Sequence, residues 1–166
     1  MKLLVCAMEA SSNIHLKELK KYLSHDVKLV GVFDKELGNP LYDLTALAIM
    51  GIVDALKKLR FFFKLRDELV DLAKDCDKVL LMDSSGFNLP LAKKLRETYP
   101  NKEIIYYILP QAWAWKKGRV KKLEAYCSKL CSIIPFESEI YNDKNKITYV
   151  GHPLLDEIQD FKQELA

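Results

Sequence analysis

An apolar run that stops abruptly at an aspartate limits this chain more than any other stretch. Val79, Leu80, Leu81 and Met82 are followed at once by Asp83, Ser84, Ser85 and Gly86, and a second apolar-periodic segment begins at Phe87 and reaches about Leu95. An unbroken apolar run suits a strand covered on both faces, as in a parallel sheet. Strand, polar loop and helix in that order make a βα unit, and ligands of open α/β sheets bind at the carboxyl ends of the strands. Asp83 stands at such an edge and is the leading candidate for chemistry. The plainer alternative is that it caps the next helix or braces Ser85 in a turn.

The same alternation runs along the whole chain. Lys2–Ala7 reads as a buried strand, followed by the polar stretch Met8 to Asn13 and a helical pattern with Ile14, Leu16, Leu19 and Leu23; a serine or asparagine is expected to cap that helix. Strands are predicted over 27–33, 102–109, 131–134 and 147–150, with an ambiguous strand hint within 41–50. Helices are predicted over 52–74, as one long helix or two shorter ones, over 87–99 and over the basic stretch 116–130, and Pro135-Phe136-Glu137 opens another. Alternating strands and helices predict an α/β fold with a doubly wound, mostly parallel, Rossmann-like sheet joined by right-handed crossovers. The fingerprint G-x-G-x-x-G is missing after the first strand, so a dinucleotide site is not indicated.

Bulk composition excludes several classes. The 166 residues suffice for one domain with a proper core, and 49% hydrophobic with 30% charged residues fits a globular chain. A net charge of +3 is too small to argue for nucleic acid. The start MKLLVCAMEA is too short and too soon polar for a secretory signal, so Cys6, Cys76, Cys127 and Cys131 read as reduced thiols of a cytoplasmic protein. Cys127 and Cys131 are spaced to share a helix face, but no second pair answers them; buried packing is expected and metal binding is not.

One segment carries an unusual load of aromatics and cations. Val53, Leu56, Leu59 and Phe63 fall at helical spacing, Ile52 and Phe62 flank that stripe, and Lys57, Lys58, Arg60, Lys64 and Arg66 rim it. A broad apolar stripe with a basic rim fits a helix lying in an anionic membrane surface. It also fits an ordinary amphipathic helix packed on the sheet. Phe61, Phe62 and Phe63 are consecutive, and one helix face is not expected to bury all three against a sheet.

Six segments together resemble the amino-terminal half of the lipid-A-disaccharide synthases, glycosyltransferases of the B-type fold. They are MEASSN (8–13), AIMGIVDALKKL (48–59), MDSSGFN (82–88), QAWAWKKGRV (111–120), PFE (135–137) and VGHP (150–153), in order and spacing that cover the chain from end to end. The Trp113-Ala114-Trp115 segment is the most specific of them. Two loops depart from the family pattern. Met8, Ser12 and Asn13 replace two glycines and an aspartate in the first, and Ser85 and Gly86 replace a proline and an aspartate in the second. Glu9, Ser11, Asp83, Phe87 and Asn88 remain in place.

The resemblance implies transfer of 2,3-diacylglucosamine from UDP-2,3-diacylglucosamine to the 6-hydroxyl of 2,3-diacylglucosamine 1-phosphate. The anomeric centre inverts, so a single base is needed. Asp83 is the implied general base. Glu9, Ser11, Asn88, Trp113, Trp115 and His152 are the implied substrate-binding residues. Glu9 is also the reserve base, and each of the others has a structural alternative: helix capping for Asn88, core filling for the tryptophans, hinge packing for His152. Lys116, Lys117 and Arg119 are candidates for the acceptor phosphate or the membrane, or simply solvated charges.

The resemblance further implies acylated glucosamine substrates, an anionic membrane surface as partner, a peripheral place on the cytoplasmic face of a bacterial inner membrane, no nucleic acid, no metal and no cofactor. It leaves open a homodimer of a full-length protein. Residues 1–152 are then the acceptor-side domain and 153–166 the start of an interdomain segment or a last helix. A donor-binding domain lies outside this sequence, so the chain alone is expected to be inactive. Rival readings are another lipid-linked-sugar glycosyltransferase, for which the first loop lacks the expected glycines, a response-regulator-like or nucleotide-binding module, for which it lacks clustered acids, and a stand-alone membrane-binding domain.

Overall fold

Every central strand is apolar on both of its faces, and that decides the architecture. In the computed structural model, which describes residues 1–43, 55–110 and 118–155 (55–58 by backbone only), seven strands form one sheet. In chain order they are β1 (Lys2–Ala7), β2 (Lys28–Phe33), β3 (Tyr42–Asp43), β4 (Lys78–Met82), β5 (Glu103–Tyr107), β6 (Lys129–Ser132) and β7 (Ile147–Tyr149). Their spatial order is β3-β2-β1-β4-β5-β6-β7, and every pairing is parallel. The helices are α1 (Ala10–Lys21), α2 (Ala55–Ala73), α3 (Ser85–Thr98) and α4 (Gly118–Tyr126), with 3-10 turns at Lys35–Leu37 and Pro135–Ile140. The chain is therefore α/β and Rossmann-like, as its alternation predicts.

Alternate residues of each strand feed two separate cores. Leu4, Cys6, Val79, Leu81, Ile104, Tyr106 and Leu130 join a core with Leu65 and Leu69 of α2, Leu91 and Leu95 of α3, and Leu123 of α4. Leu3, Val5, Ala7, Leu80, Met82 and Tyr107 face the other way, where Leu16 of α1 packs on them. Among the described residues, one face thus carries three helices and the other carries one.

Several boundaries follow local chemistry that periodicity does not show. Helix α1 begins with Glu9 as its cap residue, and no side chain caps it, contrary to the expected serine or asparagine. Asn13 is drawn off elsewhere: its amide donates to the carbonyls of Ala7 (2.9 Å) and Glu9 (2.8 Å), and its oxygen accepts the Asp34 N–H (2.7 Å). One buried side chain therefore pins the ends of β1 and β2 together. Helix α3 includes Pro90, which deletes the N–H that would meet the Gly86 carbonyl. The segment opened by Pro135 is a 3-10 turn rather than an α-helix. Cys127 and Cys131 do not share a helix face, because α4 ends before the first and β6 contains the second. Cys6, Cys76 and Cys127 are buried, as expected.

Gly31 shows how closely β1 and β2 approach. Its φ is +121°, and a Cβ there would stand 2.2 Å from the Val5 carbonyl oxygen. That contact cannot relax, since the oxygen belongs to the paired strand. Gly31→Ala is expected to cost about 3 kcal/mol or more. Chemical denaturation of the two proteins measures it, and a loss under about 1 kcal/mol contradicts the packing described.

Candidate functional site

The strand order reverses direction between β1 and β4, and the crevice at such a switch point is where open α/β sheets bind ligands. Two loops meet there. One follows β1 and holds Met8 and Glu9; the other follows β4 and holds Asp83 and Ser84. The Ser84 hydroxyl donates to Glu9 Oε1 at 2.7 Å and bridges them.

The second loop is wound in an uncommon way. Asp83 and Ser84 both adopt left-handed backbone, with φ of 49° and 40°. Each such residue costs of order 1–3 kcal/mol unless its surroundings hold it. Here they do. The Asp83 carbonyl accepts from the Asn88 amide (3.0 Å) and from the Tyr106 hydroxyl. Asn88 also donates to the Met82 carbonyl (3.0 Å), and the Ser84 carbonyl receives the N–H groups of Phe87 and Asn88, both at 2.9 Å, which starts α3. The bend leaves both side chains of the pair free of capping duty: Ser84 is the cap residue of α3, and its hydroxyl serves Glu9 instead.

Asp83 is half-buried at the edge of a cavity of about 340 Å³. Ser85, Ile108, Leu109, Arg119 and Ile134 line the same cavity. Ile108, just past β5, is the third non-glycine residue in left-handed backbone among the described residues, with φ of 61°. Burial raises the Asp83 carboxyl above the usual range, the Glu9 charge raises it further, and the Ser84 N–H opposes both. Glu9 lies within hydrogen-bonding reach of it. No cation among the described residues forms an ion pair with either carboxylate.

On the other side of Glu9 and Ser84 lies a larger apolar groove of about 510 Å³, walled by Leu59, Phe62 and Phe63 of α2 and by Phe87 of α3. The three phenylalanines divide their work. Phe61 stacks edge-on against Tyr42 (5.4 Å), Phe62 reaches Phe87 (5.8 Å), and both are half-buried on the core. Phe63 remains 49% exposed and Leu59 52%, with the Arg66 guanidinium 5.1 Å from the Phe63 ring. The basic rim is partly neutralised along the helix: Lys64 pairs with Glu68 (3.5 Å) and Arg66 with Asp67 (3.2 Å).

The remaining sequence candidates fall in different places. Asn88 is buried at 0% exposure, and its amide is committed to backbone carbonyls, so in this fold it supports the loop and presents nothing to solvent. Ser11 is exposed on the first turn of α1. His152 lies beyond β7, its ring 5.7 Å from that of His15, and its Nδ1 accepts the Leu154 N–H at 3.3 Å. Neither is in the cavity beside Asp83. Trp113, Trp115, Ile52, Val53, Lys116 and Lys117 lie outside the described residues, as does the side chain of Leu56. Ser84, Asn13 and Tyr106 were not marked by sequence. Only Ser84 had a signal, its place beside Asp83. Tyr106 acts through Asp83, 23 positions away, and Asn13 joins its own neighbours Ala7 and Glu9 to Asp34, 21 positions on. Among the described residues no three potential metal ligands stand together.

Comparison with known proteins identifies the family. The family model for lipid-A-disaccharide synthetase matches residues 3–166. The chain belongs to the lipid-A-disaccharide synthetase family. It is 53% identical over 163 residues to the lipid-A-disaccharide synthase of Helicobacter pylori (strain HPAG1), covering 98% of this chain and 44% of that protein. The synthase of Helicobacter acinonychis (strain Sheeba) is 50% identical with the same coverage. That of Campylobacter jejuni (strain RM1221) is 42% identical over 173 residues, 97% of this chain and 47% of its own length. The chain thus spans less than half the length of these curated relatives. As a member of this family it carries a seven-stranded, B-type amino-terminal fold, with the acidic pair at its switch point.

The raised carboxyl predicts a pH-dependent trade. A group whose folded pKa exceeds its unfolded value near 3.8 binds its proton more tightly in the fold, so ionising it opposes folding. The penalty is complete above the folded pKa and vanishes below the unfolded one. Asp83→Asn, whose new side chain also tolerates left-handed backbone, is therefore expected to melt higher than the parent near neutral pH. The gap should close below about pH 4. Thermal unfolding at the two pH values checks this, and a variant less stable at neutral pH contradicts it.

Proposed function

We propose that this chain forms the acceptor side of a glycosyltransferase of lipid A and lipopolysaccharide biosynthesis. The reaction joins a diacylglucosamine from its UDP donor to the 6-hydroxyl of 2,3-diacylglucosamine 1-phosphate, giving a β-1,6 disaccharide and UDP. The observation that carries this reading is Asp83: a carboxylate of raised proton affinity at a switch point, beside an open cavity and with no ion-pair partner among the described residues. Similarity to proteins named lipid-A-disaccharide synthase supports this choice of substrates.

In the proposed mechanism the acceptor hydroxyl approaches Asp83 from the 340 Å³ cavity. As the oxygen attacks the anomeric carbon and the bond to the diphosphate breaks, the hydroxyl proton passes to the carboxylate. A base works best when its pKa approaches the working pH, and burial together with the Glu9 charge moves Asp83 in that direction. Glu9 acts as a positioning and charge-setting partner, locked by the Ser84 hydroxyl. We assign the acceptor phosphate to Arg119, whose place on the lining of the same cavity supports this. The departing diphosphate needs cations or dipoles of its own, which we assign to the part of the relatives that this chain does not span.

Both sugars carry acyl chains, and the apolar groove beside Glu9 and Ser84 offers an acyl chain a path toward a bilayer. Leu59 and Phe63, exposed at its mouth, would enter the headgroup boundary of an anionic surface on the cytoplasmic side. No helix among the described residues is long and apolar enough to cross a membrane.

Two measurements test the parts separately. In a chimera whose first 153 residues replace the matching part of the Helicobacter pylori synthase, Asp83→Asn is expected to lower turnover by about a hundredfold or more with the acceptor KM little changed. Turnover within a few-fold of the parent removes Asp83 as base. In flotation with anionic vesicles, Leu59→Glu with Phe63→Glu should lower bound protein by about tenfold, as expected when apolar anchors are lost. Phe62 is unsuitable for this test because it also packs on Phe87. Unchanged flotation removes the groove mouth from membrane contact.

A further inference from the structure

The turn that follows β7 is held together by an imidazole. Gly151 leaves the strand in left-handed backbone, with φ of 81°, and Pro153 keeps the residue before it out of the helical region. Few conformations remain for His152 between them. Its Nδ1 accepts the Leu154 N–H (3.3 Å), and its carbonyl accepts the Leu155 N–H (3.0 Å). An imidazole that accepts through Nδ1 carries its proton on Nε2 and is neutral. A second imidazole meets it from α1. The His15 ring lies 5.7 Å from that of His152, edge to face at 79°. His15 is buried, and its Nδ1 has no hydrogen-bond partner among the described residues. Most buried polar atoms are paired, so an unpaired one calls for a reason.

Burial, and after it the charge of His152, hold the His15 imidazole below its ordinary value. A proton on His15 therefore opposes the fold, and the opposition sets in as the pH falls through the ordinary imidazole range near about 6.5. The groups around the pair offer no countercharge. Glu18, one turn along α1, is bound to Lys21 (2.6 Å). His152 lines a groove of about 660 Å³, walled by α1 and the sheet, together with Met1, Lys78, Tyr22, Tyr107 and Cys131. Lys78 of β4 is paired with Glu103 (2.8 Å) and the amino group of Met1 with Asp26 (3.5 Å). The other three are phenols and a thiol, side chains that ordinarily stay neutral where imidazoles titrate. Among the described residues no carboxylate forms an ion pair with either ring.

We propose that His15 and His152 form a proton-operated latch: with both rings neutral the turn from Gly151 to Leu155 is held on α1, and protonation of the pair releases it. A proton on His152 takes up Nδ1, the atom that receives the Leu154 N–H, and turns an acceptor into a second donor. A proton on His15 finds no acceptor, and two charged rings would face each other at 5.7 Å. Glu9 is the cap residue of α1, so the latch ties the turn after β7 to the helix that begins at one of the two site carboxylates. The proposal stands on the two histidines and does not depend on the role of Asp83.

Amide hydrogen exchange of the whole 166-residue chain, followed by NMR, tests the latch, each rate being referred to that of an unstructured amide at the same pH. Between about pH 7.5 and about pH 5, protection of Leu154 and Leu155 is expected to fall about tenfold or more, in step with the ring signals of His15 and His152, while β1 and β4 keep theirs. His152→Asn retains a side-chain acceptor for the N–H two residues on and takes up no proton there. In that variant the protection seen near neutral pH should persist in acid. The His15 ring should then titrate about half a pH unit higher than in the parent, because a like charge has gone. His25, which is exposed, is the reference and should not move. Parent protection that is equal at the two pH values, or absent at both, overturns the proposal. So does a fall that is out of step with both rings or persists in His152→Asn, which puts the titrating group elsewhere. A fall shared by β1 and β4 is acid unfolding of the whole chain and overturns it too, and an unmoved His15 midpoint shows that the rings do not act as a pair.

Discussion

Two consecutive left-handed residues at the end of β4 set the geometry on which the site depends. Asp83 and Ser84 turn the chain sharply enough to start α3 and still leave their side chains free of capping duty. A conventional cap would have consumed the serine hydroxyl or the carboxylate. The strain is held from beneath by Asn88 and Tyr106, which bind the Asp83 carbonyl. Both are fully buried, so the support cannot relax without opening the core between β1, β4 and β5. Strained backbone of this kind persists only where its surroundings over-determine it.

The two edges of the sheet are electrostatic opposites. At the amino edge, Glu103 is paired with Lys78 (2.8 Å) and Lys129 (3.1 Å), and those cations lower its carboxyl below the usual range. At the carboxyl edge, Glu9 and Asp83 face each other with only a serine hydroxyl between the loops, and Asp83 is pushed the other way. Carboxylates serve structure at one end, and at the other they have no ion-pair partner among the described residues. Perturbed carboxylates of the second kind concentrate at functional sites, because proton transfer needs a base whose affinity approaches the working pH.

Helix α2 answers a question its sequence left open. The reading of a packed helix applies to one part of it, and the part left exposed is where an interfacial role is proposed. Phe61 and Phe62 complete an aromatic row from Tyr42 to Phe87, and Phe63 and Leu59 remain outside it. Periodicity could not assign the three phenylalanines, since consecutive positions differ by about 100° and the width of the buried arc depends on neighbouring elements. The same limit explains Asn88. The family resemblance offers it as a sugar contact, with a helix cap as the alternative, but its direction is set by β1, whose Cys6 carbonyl lies 3.5 Å from its amide across 82 residues of chain.

What the sequence by itself determined is the alternation of strands and helices, the two-sided burial of β1, β4 and β5, the position of Asp83 at a strand end, and the family. All of these rest on local signals: apolar runs, an abrupt polarity switch, and short motifs read in order. Only the tertiary structure decided that Glu9 and Asp83 share a site, that Ser84 links them, and that Asn13 and Tyr106 hold the two loops. Those contacts join residues as many as 75 positions apart. They exist because parallel pairing lays Ala7 beside Met82, and no spacing along the chain encodes that register.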